Sequence, residues 1–342
     1  MALTSPRIHV RNGIFCARRM SSQASVFDNK VKKAHRDRIA TVYQHGNYDY
    51  LRDEIASRLV DRLNDVSPSK KFPVAVDLGA FSGHVRKTLE YTAKNKGISK
   101  LHQLEQSEML LNRDKHQNHP DGVDVSYSVW DEDQKLPFDT DSIDVVFSSM
   151  ALHWINDLPG VFKEVHRVLK PDGVFLGAML GGATLQELRS SFAVAEQERK
   201  GGLSPHVSPF VRDGEIGGLI QAAGFNLPTA DSDLLTVKYP DIFTMMEHLR
   251  GMGETNATKI RQNYTPIDTF IAAAAAYQEL YTDDDDLLEA TFHVLYLIGW
   301  KPHESQQTPD ERGSGSTRLS ATLAELASGP LNPGSFSGGG TK

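Results

Sequence analysis

Val74-Ala75-Val76-Asp77-Leu78-Gly79-Ala80-Phe81-Ser82-Gly83-His84 is the stretch on which the reading of the fold turns. An apolar, β-branched run ends in Asp-x-Gly, and Val85, Leu89 and Ala93 follow at helical spacing. That is the pattern of a buried strand, a tight turn and the first helix of a parallel α/β sheet. Glycine at such a turn lets the backbone reverse and leaves room for a ligand where a Cβ would intrude. The expected ligand is nucleotide-like.

Working outward, Leu51, Ile55, Leu59 and Leu63 recur every four residues among charged ones, an amphipathic helix that leads into this strand. Downstream, Lys100 to Glu105 reads as a second strand with an acid at its end, the place where nucleoside-binding α/β proteins hold the ribose hydroxyls. Val123, Val125, Tyr127 and Val129 alternate as a third strand closed by Trp130-Asp131-Glu132-Asp133. A ring and an acid there suit an adenine face and amino group, or else begin a loop. Ile143 to Ser149 is a fourth strand, and Val174 to Leu180 a fifth, reached through a helix from Leu158 to Leu169 and a Lys170-Pro171-Asp172-Gly173 turn. Strands and helices alternating in this way predict right-handed crossovers in one doubly wound sheet. His153 leaves the fourth strand on the ligand-facing edge. It is the candidate catalytic base, because imidazole exchanges protons near neutrality, with packing beneath the loop as the alternative. Later segments read as helices over 185–199, 216–223 and 271–277, strands over 234–239 and 291–300, and a Ser204 to Phe210 loop serving as a substrate rim or a plain connector.

The 342 residues, 39% hydrophobic and 24% charged, suit one sizeable core with tails. A formal charge of -7 gives no concentrated basic surface for a nucleic-acid partner. The single Cys16 excludes an internal disulfide and a cysteine-rich metal site. Residues 1–20 hold Arg7, Arg11, Arg18 and Arg19 and no acid, the composition of a mitochondrial transit peptide, with an unaddressed basic leader as the alternative. Loss of those arginines would take the charge from -7 to -11. Residues 21–47, with Lys30, Lys32, Lys33 and His35-Arg36, read as a polar leader carrying a solvated helix. No run reaches the ~20 apolar residues of a membrane span, so any contact with a membrane is peripheral. The Gly-, Ser-, Pro- and Thr-rich residues 307–342 read as a disordered tail.

The strand-AspxGly-x3-Gly motif, the acids after strands two and three, Leu136-Pro137-Phe138, and Leu169-Lys170-Pro171-x-Gly173 together resemble the class I S-adenosylmethionine-dependent methyltransferases. More narrowly, several motifs are similar to the mitochondrial complex I assembly factor 5 family, described as arginine hydroxylases. They are Ser148-Ser149-x-x-Leu152-His153-Trp154-x-Asn156-Asp157-Leu158-Pro159, Ser204-Pro205-His206-x-Ser208-Pro209-Phe210, Gly251-Met252-Gly253-Glu254-x-Asn256 and Ile298-Gly299-Trp300-Lys301-x-His303-Glu304-Ser305-Gln306. The resemblance covers about Tyr48 to Gln306 and implies a Rossmann-like α/β domain over 48–306, a mostly parallel seven-stranded sheet with helices on both faces. It implies S-adenosylmethionine as cofactor, held by Asp77, Gly79, Gly83, Glu105, Asp131 and Glu132. The chain departs from the superfamily at Phe81, where a second glycine is usual, and a ring there should crowd the methionine moiety.

The family resemblance also implies a matrix location, on or near the inner membrane. The partners it implies are assembly intermediates of respiratory complex I, and the substrate an arginine of an iron-sulfur subunit of the matrix arm. Methyl transfer needs mainly positioning, whereas hydroxylation needs a metal or organic redox cofactor, and the oxidant stays open. The His-x-Asp pairs at His35-x-Asp37 and His119-x-Asp121 lie away from the ligand edge, and His153, His206 and His303 are scattered. Two further readings stand beside this one: a methyltransferase of a small-molecule or acyl-carrier substrate, and a non-catalytic assembly chaperone.

Overall fold

The computed structural model describes residues 25–43, 48–117, 119–307 and 313. The expected transit segment at 1–20, and the tail apart from residues 307 and 313, lie outside the described residues. Two compact units divide after His303, and all elements named below belong to the first.

The strands are β1 (Val74–Leu78), β2 (Lys100–Glu105), β3 (Asp124–Val129), β4 (Ile143–Ser149), β5 (Leu169–Leu180), β6 (Asn226–Tyr239) and β7 (Leu288–Trp300). They form one sheet in the order β3-β2-β1-β4-β5-β7-β6. β1 to β5 pair in parallel, and β7 runs antiparallel to both of its neighbours. The chain winds outward from β1 to β3 and then returns to place β4 on the other flank of β1. The order therefore reverses between β1 and β4, and a crevice opens beyond their carboxyl ends.

The helices are α1 (Asn29–Val42), α2 (Tyr50–Asp61), α3 (His84–Lys96), α4 (Glu108–Arg113), α5 (Leu158–Val168), α6 (Gln186–Lys200), α7 (Asp213–Ala222), α8 (Ile242–Met252) and α9 (Ile267–Tyr281). Because side chains alternate along a strand, Ala75, Val145 and Phe147 face a core with Ile55 and Leu59 of α2 and Leu89 of α3. Val76, Val146 and Phe175 face the opposite core, with Phe162 of α5 and Ile220 of α7. Burial of both faces explains why β1 is apolar at every position but Asp77.

Three segments depart from the sequence reading. The Lys170-Gly173 turn lies within β5, as an irregularity where the ladder with β4 slips between Ile143 and Val145 and Asp172 takes φ +63°. β6 begins at Asn226 rather than Leu234, because it is an edge strand paired only to β7; its polar first half is exposed, and Pro228 sits where the register shifts. Residues 29–42 are helical as expected, with Asp28 accepting from the Lys30 and Val31 amides at the N-cap. The helix is not solvated, however: Lys32 and Ile39 are buried.

Candidate functional site

The turn after β1 holds Gly79 at φ +71° and Gly83 at φ +95°, and only glycine takes such angles without strain. What each makes room for is protein. A Cβ on Gly79 would lie 2.3 Å from that of Ala151, and one on Gly83 would lie 2.9 Å from the Arg86 guanidinium. Gly79 thus lets the β1 and β4 loops touch. Gly83 admits Arg86, which spans Gln103, Tyr127 and the Asp114 carbonyl.

Asp77 is buried at the end of β1, with one oxygen accepting from Gln103 at 3.1 Å and Oδ1 without a partner. Burial pushes its carboxyl up to about 7, Gln103 and Arg86 hold it down, and nearby Glu105 adds to the rise. Ser149 Oγ, at the end of β4, is likewise buried without a partner. Glu105 accepts from the Phe81 and Ser107 amides at 3.0 Å each, which fixes the carboxylate at the mouth of the crevice.

Three bases from the N-terminal helices meet three acids there. Arg36 Nη1 of α1 lies 2.7 Å from Glu105 Oε1, Lys32 of α1 pairs with Glu132, and Arg52 Nη2 of α2 lies 2.6 Å from Glu254 Oε1. Burial lowers the Lys32 ammonium and raises the Glu132 carboxyl, the cost of drying an ion pair. Lys32 also donates to the Trp154 carbonyl at 2.7 Å. Phe81, at φ +54°, turns its ring into a cluster with Ile39 and Leu110, and the Arg52 guanidinium carbon stands 3.8 Å from the ring centroid. What remains of the strand-end crevice is a cavity of about 20 Å³ lined by Arg36, Gly79, Gln106, Trp130, Glu132 and Ala151 among others.

Glu254, after α8, is the hub of the neighbouring region. Its Oε2 accepts from His153 Nε2 at 3.0 Å and from Trp154 Nε1 at 3.1 Å. Burial would raise this carboxyl, but His153, Arg52 and Trp154 hold it below its usual value. His153 Nδ1 faces the Leu180 amide at 3.4 Å, so both ring nitrogens are engaged and the side chain is 1% exposed. His153 therefore packs beneath the loop and orients Glu254; it is not presented as a base. Beyond Glu254 lies a cavity of about 190 Å³ walled by Trp154, Phe192, Phe210 and Phe270, with Asn256 on its rim. The Ser204–Phe210 loop closes its far side, held by His206, which stacks on Phe192 with ring centroids 4.0 Å apart and pairs with Glu196.

Of the six positions expected to bind a cofactor, Gly79 and Glu132 line the crevice, Glu105 stands at its mouth and Asp77 points an unmatched oxygen from the end of β1. Asp131 accepts from the Asp133 amide at 3.4 Å, as a cap of the turn after β3. Gly83 makes room for the Arg86 guanidinium. The acceptors of Asp77, Glu105 and Glu132, with the orphaned Asp77 Oδ1, suit the hydroxyl, amino and ammonium donors of S-adenosylmethionine. The cavity of about 20 Å³ beside Gly79 does not hold it while α1 is in place, for a ligand of that size needs about 300 Å³ or more; a larger cavity of about 610 Å³ that shares Trp130 and Glu132 lies along Asp28 to Lys30. Sequence reading missed Lys32, Arg36, Arg52 and Glu254. The spacing of Lys32, Arg36 and Ile39 on one helical face was the available signal. Among the described residues no cluster of three His, Cys, Asp or Glu side chains is arranged to hold a metal ion.

A sequence family described as a methyltransferase domain matches residues 76–177. The chain is 42% identical over 302 residues to the arginine-hydroxylase NDUFAF5, mitochondrial, of Danio rerio, covering 88% of this chain and 90% of the relative. It is 42% identical over 292 residues to the Homo sapiens protein of that name, covering 85% and 81%. A malonyl-[acyl-carrier protein] O-methyltransferase of Xylella fastidiosa is 31% identical over 284 residues, covering 82% and 88%. The crystal structure of YcgJ from Bacillus subtilis shares the fold, with a TM-score of 0.50 at 15% identity, over 72% of this chain and 99% of that one. The sheet order, the acids at the strand ends and the extended similarity agree, and the chain belongs to the family of the mitochondrial arginine-hydroxylase NDUFAF5, built on the class I methyltransferase fold.

Proposed function

We propose that this protein acts in the mitochondrial matrix on an arginine of an iron-sulfur subunit of the complex I matrix arm, during assembly of that complex, and associates with the inner membrane only peripherally. The observation that carries the reading is the cavity beside Glu254. Its aromatic walls suit the face of a guanidinium, and its carboxylate end suits the cation's charge. Arg52 already neutralises Glu254 from the opposite side. The acid therefore stays ionised without a substrate, and an entering guanidinium meets a pre-oriented acceptor. The names of the NDUFAF5 relatives support arginine as the substrate side chain and the mitochondrion as the compartment.

S-adenosylmethionine is the cofactor that the crevice residues suit: Glu105 for the ribose hydroxyls, Glu132 for the adenine amino group, and Asp77 for a cationic group near its unmatched oxygen. When bound, it supplies an electrophilic methyl group. Hydroxylation of arginine instead removes two electrons from a carbon-hydrogen bond and takes an oxidant from outside the residues described. In both chemistries the chain's own residues bind the arginine, hold it in line and exclude water. A second reading, a non-catalytic assembly chaperone, draws on one observation, the filling of the crevice to about 20 Å³.

The test is to delete the gene and restore either the natural chain or Glu254→Gln. Arginines of the matrix-arm subunits are then mapped by mass spectrometry, and assembled complex I is quantified. The proposal expects loss of one oxygen, or of one methyl group, at a single arginine on deletion, and failure of Glu254→Gln to restore it. Full assembly with an unmodified subunit would support the chaperone. Unchanged complex I and unchanged subunits would overturn both and favour a soluble or acyl-carrier acceptor.

A further inference from the structure

We infer that α1 is an internal competitor for the cofactor crevice, a removable plug in which Arg36 stands where a ribose diol would sit. The inference rests on the reading of that crevice as a nucleoside site.

The atoms of Glu105 carry the argument. A carboxylate has about four acceptor directions. In Glu105, Oε1 takes the Ser107 amide and Arg36 Nη1, and Oε2 takes the Phe81 amide. The two amides belong to the scaffold and stay when a ligand binds. A ribose presenting two hydroxyl donors to this carboxylate must therefore displace Arg36. The same holds at Glu132, whose carboxylate Lys32 occupies from the same helix. One helix thus blocks both of the acids assigned to the nucleoside.

The way α1 is attached shows that it can leave. A helix docked for stability alone buries an apolar stripe, whereas α1 fully buries one aliphatic residue, Ile39, and one lysine, with Val31 and Ala40 half-buried against two small apolar clusters. Its grip on the crevice acids is polar: Arg36 on Glu105, Lys32 on Glu132 and on the Trp154 carbonyl, and the Asp37 carboxylate accepting from the Ser107 hydroxyl at the N-cap of α4. Charged groups leaving together with their helix regain water, so detachment costs less than stripping an apolar helix from the core. Arg52, on α2, keeps Glu254 paired in either state. Opening α1 thus exposes the cofactor acids without unmaking the arginine-side cavity. Ile39 packs on Phe81, so the ring that interrupts the usual glycine pattern also gives the plug its apolar seat.

The expected behaviour follows from mass action. An affinity measured on a chain that is mostly plugged is lowered by the fraction of molecules that are open. Titration calorimetry with S-adenosylhomocysteine, which is not turned over, compares the intact natural chain with Lys32→Ala/Arg36→Ala and with the milder Arg36→Gln. In parallel, tryptic cleavage after the exposed Lys30, Lys33 and Arg38 is timed with and without the ligand. Both variants should bind about tenfold more tightly or better, and the ligand should speed cleavage within α1 of the natural chain. Variants that keep the natural circular dichroism yet bind no better, or a ligand that slows cleavage in α1, would overturn the plug and leave the cofactor reading standing. If neither the natural chain nor a folded variant binds, the cofactor reading falls and the plug falls with it.

Discussion

Replacing Asp77 by Asn should change how stability depends on pH, and the size of the change follows from where the carboxyl sits. It lies at the end of β1, 1% exposed, with one weak donor on Oδ2 and none on Oδ1. Burial raises its pKa from 3.8 to about 7. The sign is the reverse of an ion-paired acid: between those values the folded protein holds a proton that the unfolded chain has lost, so raising the pH favours unfolding. The penalty is absent well below pH 3.8, grows through the interval and is complete above about pH 7, where it reaches about 4 kcal/mol. About 2 to 3 kcal/mol of it falls between pH 5 and pH 8. A protonated Asp and an Asn are similar in shape, the acid burying one unmatched donor and the amide two, so Asn removes the titration and adds a cost that does not vary with pH. Urea unfolding of both proteins at pH 5, 6, 7 and 8 measures this directly. The natural chain should lose about 2 to 3 kcal/mol more than the variant over that range. Parallel pH profiles for the two proteins would refute the assignment of a protonated, buried Asp77.

Glu254→Gln should destabilise by about 3 kcal/mol, because it leaves the Arg52 guanidinium buried without its counter-charge. Trp154, which donates to the same carboxylate, should report the change in its fluorescence, and an unchanged spectrum and midpoint would contradict the geometry. Gly79→Ala combines φ +71° with a Cβ 2.3 Å from Ala151, and should cost about 2 to 4 kcal/mol in a denaturant titration. A double variant, Gly79→Ala/Ala151→Gly, should recover part of that loss; no recovery would mean that backbone strain alone is responsible. Phe147→Ala opens a void at a fully buried position facing α2 and α3 and should cost about 3 to 5 kcal/mol, read as a fall in the urea midpoint.

The local chemistry of the sequence determined the scaffold. Val74–Val76 and Leu78 are apolar because both faces of β1 are covered, Gly79 follows because the turn needs a positive φ, and Leu51, Ile55 and Leu59 repeat because one face of α2 meets the sheet. These signals act between residues a few positions apart, so they survive in the linear text. So do the acids that end β1, β2 and β3, since a parallel sheet must bring its strand ends to one edge. The fate of those acids was not legible. Glu105 meets Arg36 across 69 residues, Glu132 meets Lys32 across 100, and Glu254 meets His153 across 101. A charge run such as Lys30 to Arg36 looks solvated until folding supplies the buried carboxylates that draw it in. His153 looks like a base until both of its nitrogens find partners. The sequence by itself settled the strand-turn-helix frame and the edge where a ligand binds, because periodicity and turn chemistry are local. Only the tertiary structure decided which charges neutralise one another there, because electrostatic pairing in a dry crevice depends on distance in space and not on separation along the chain.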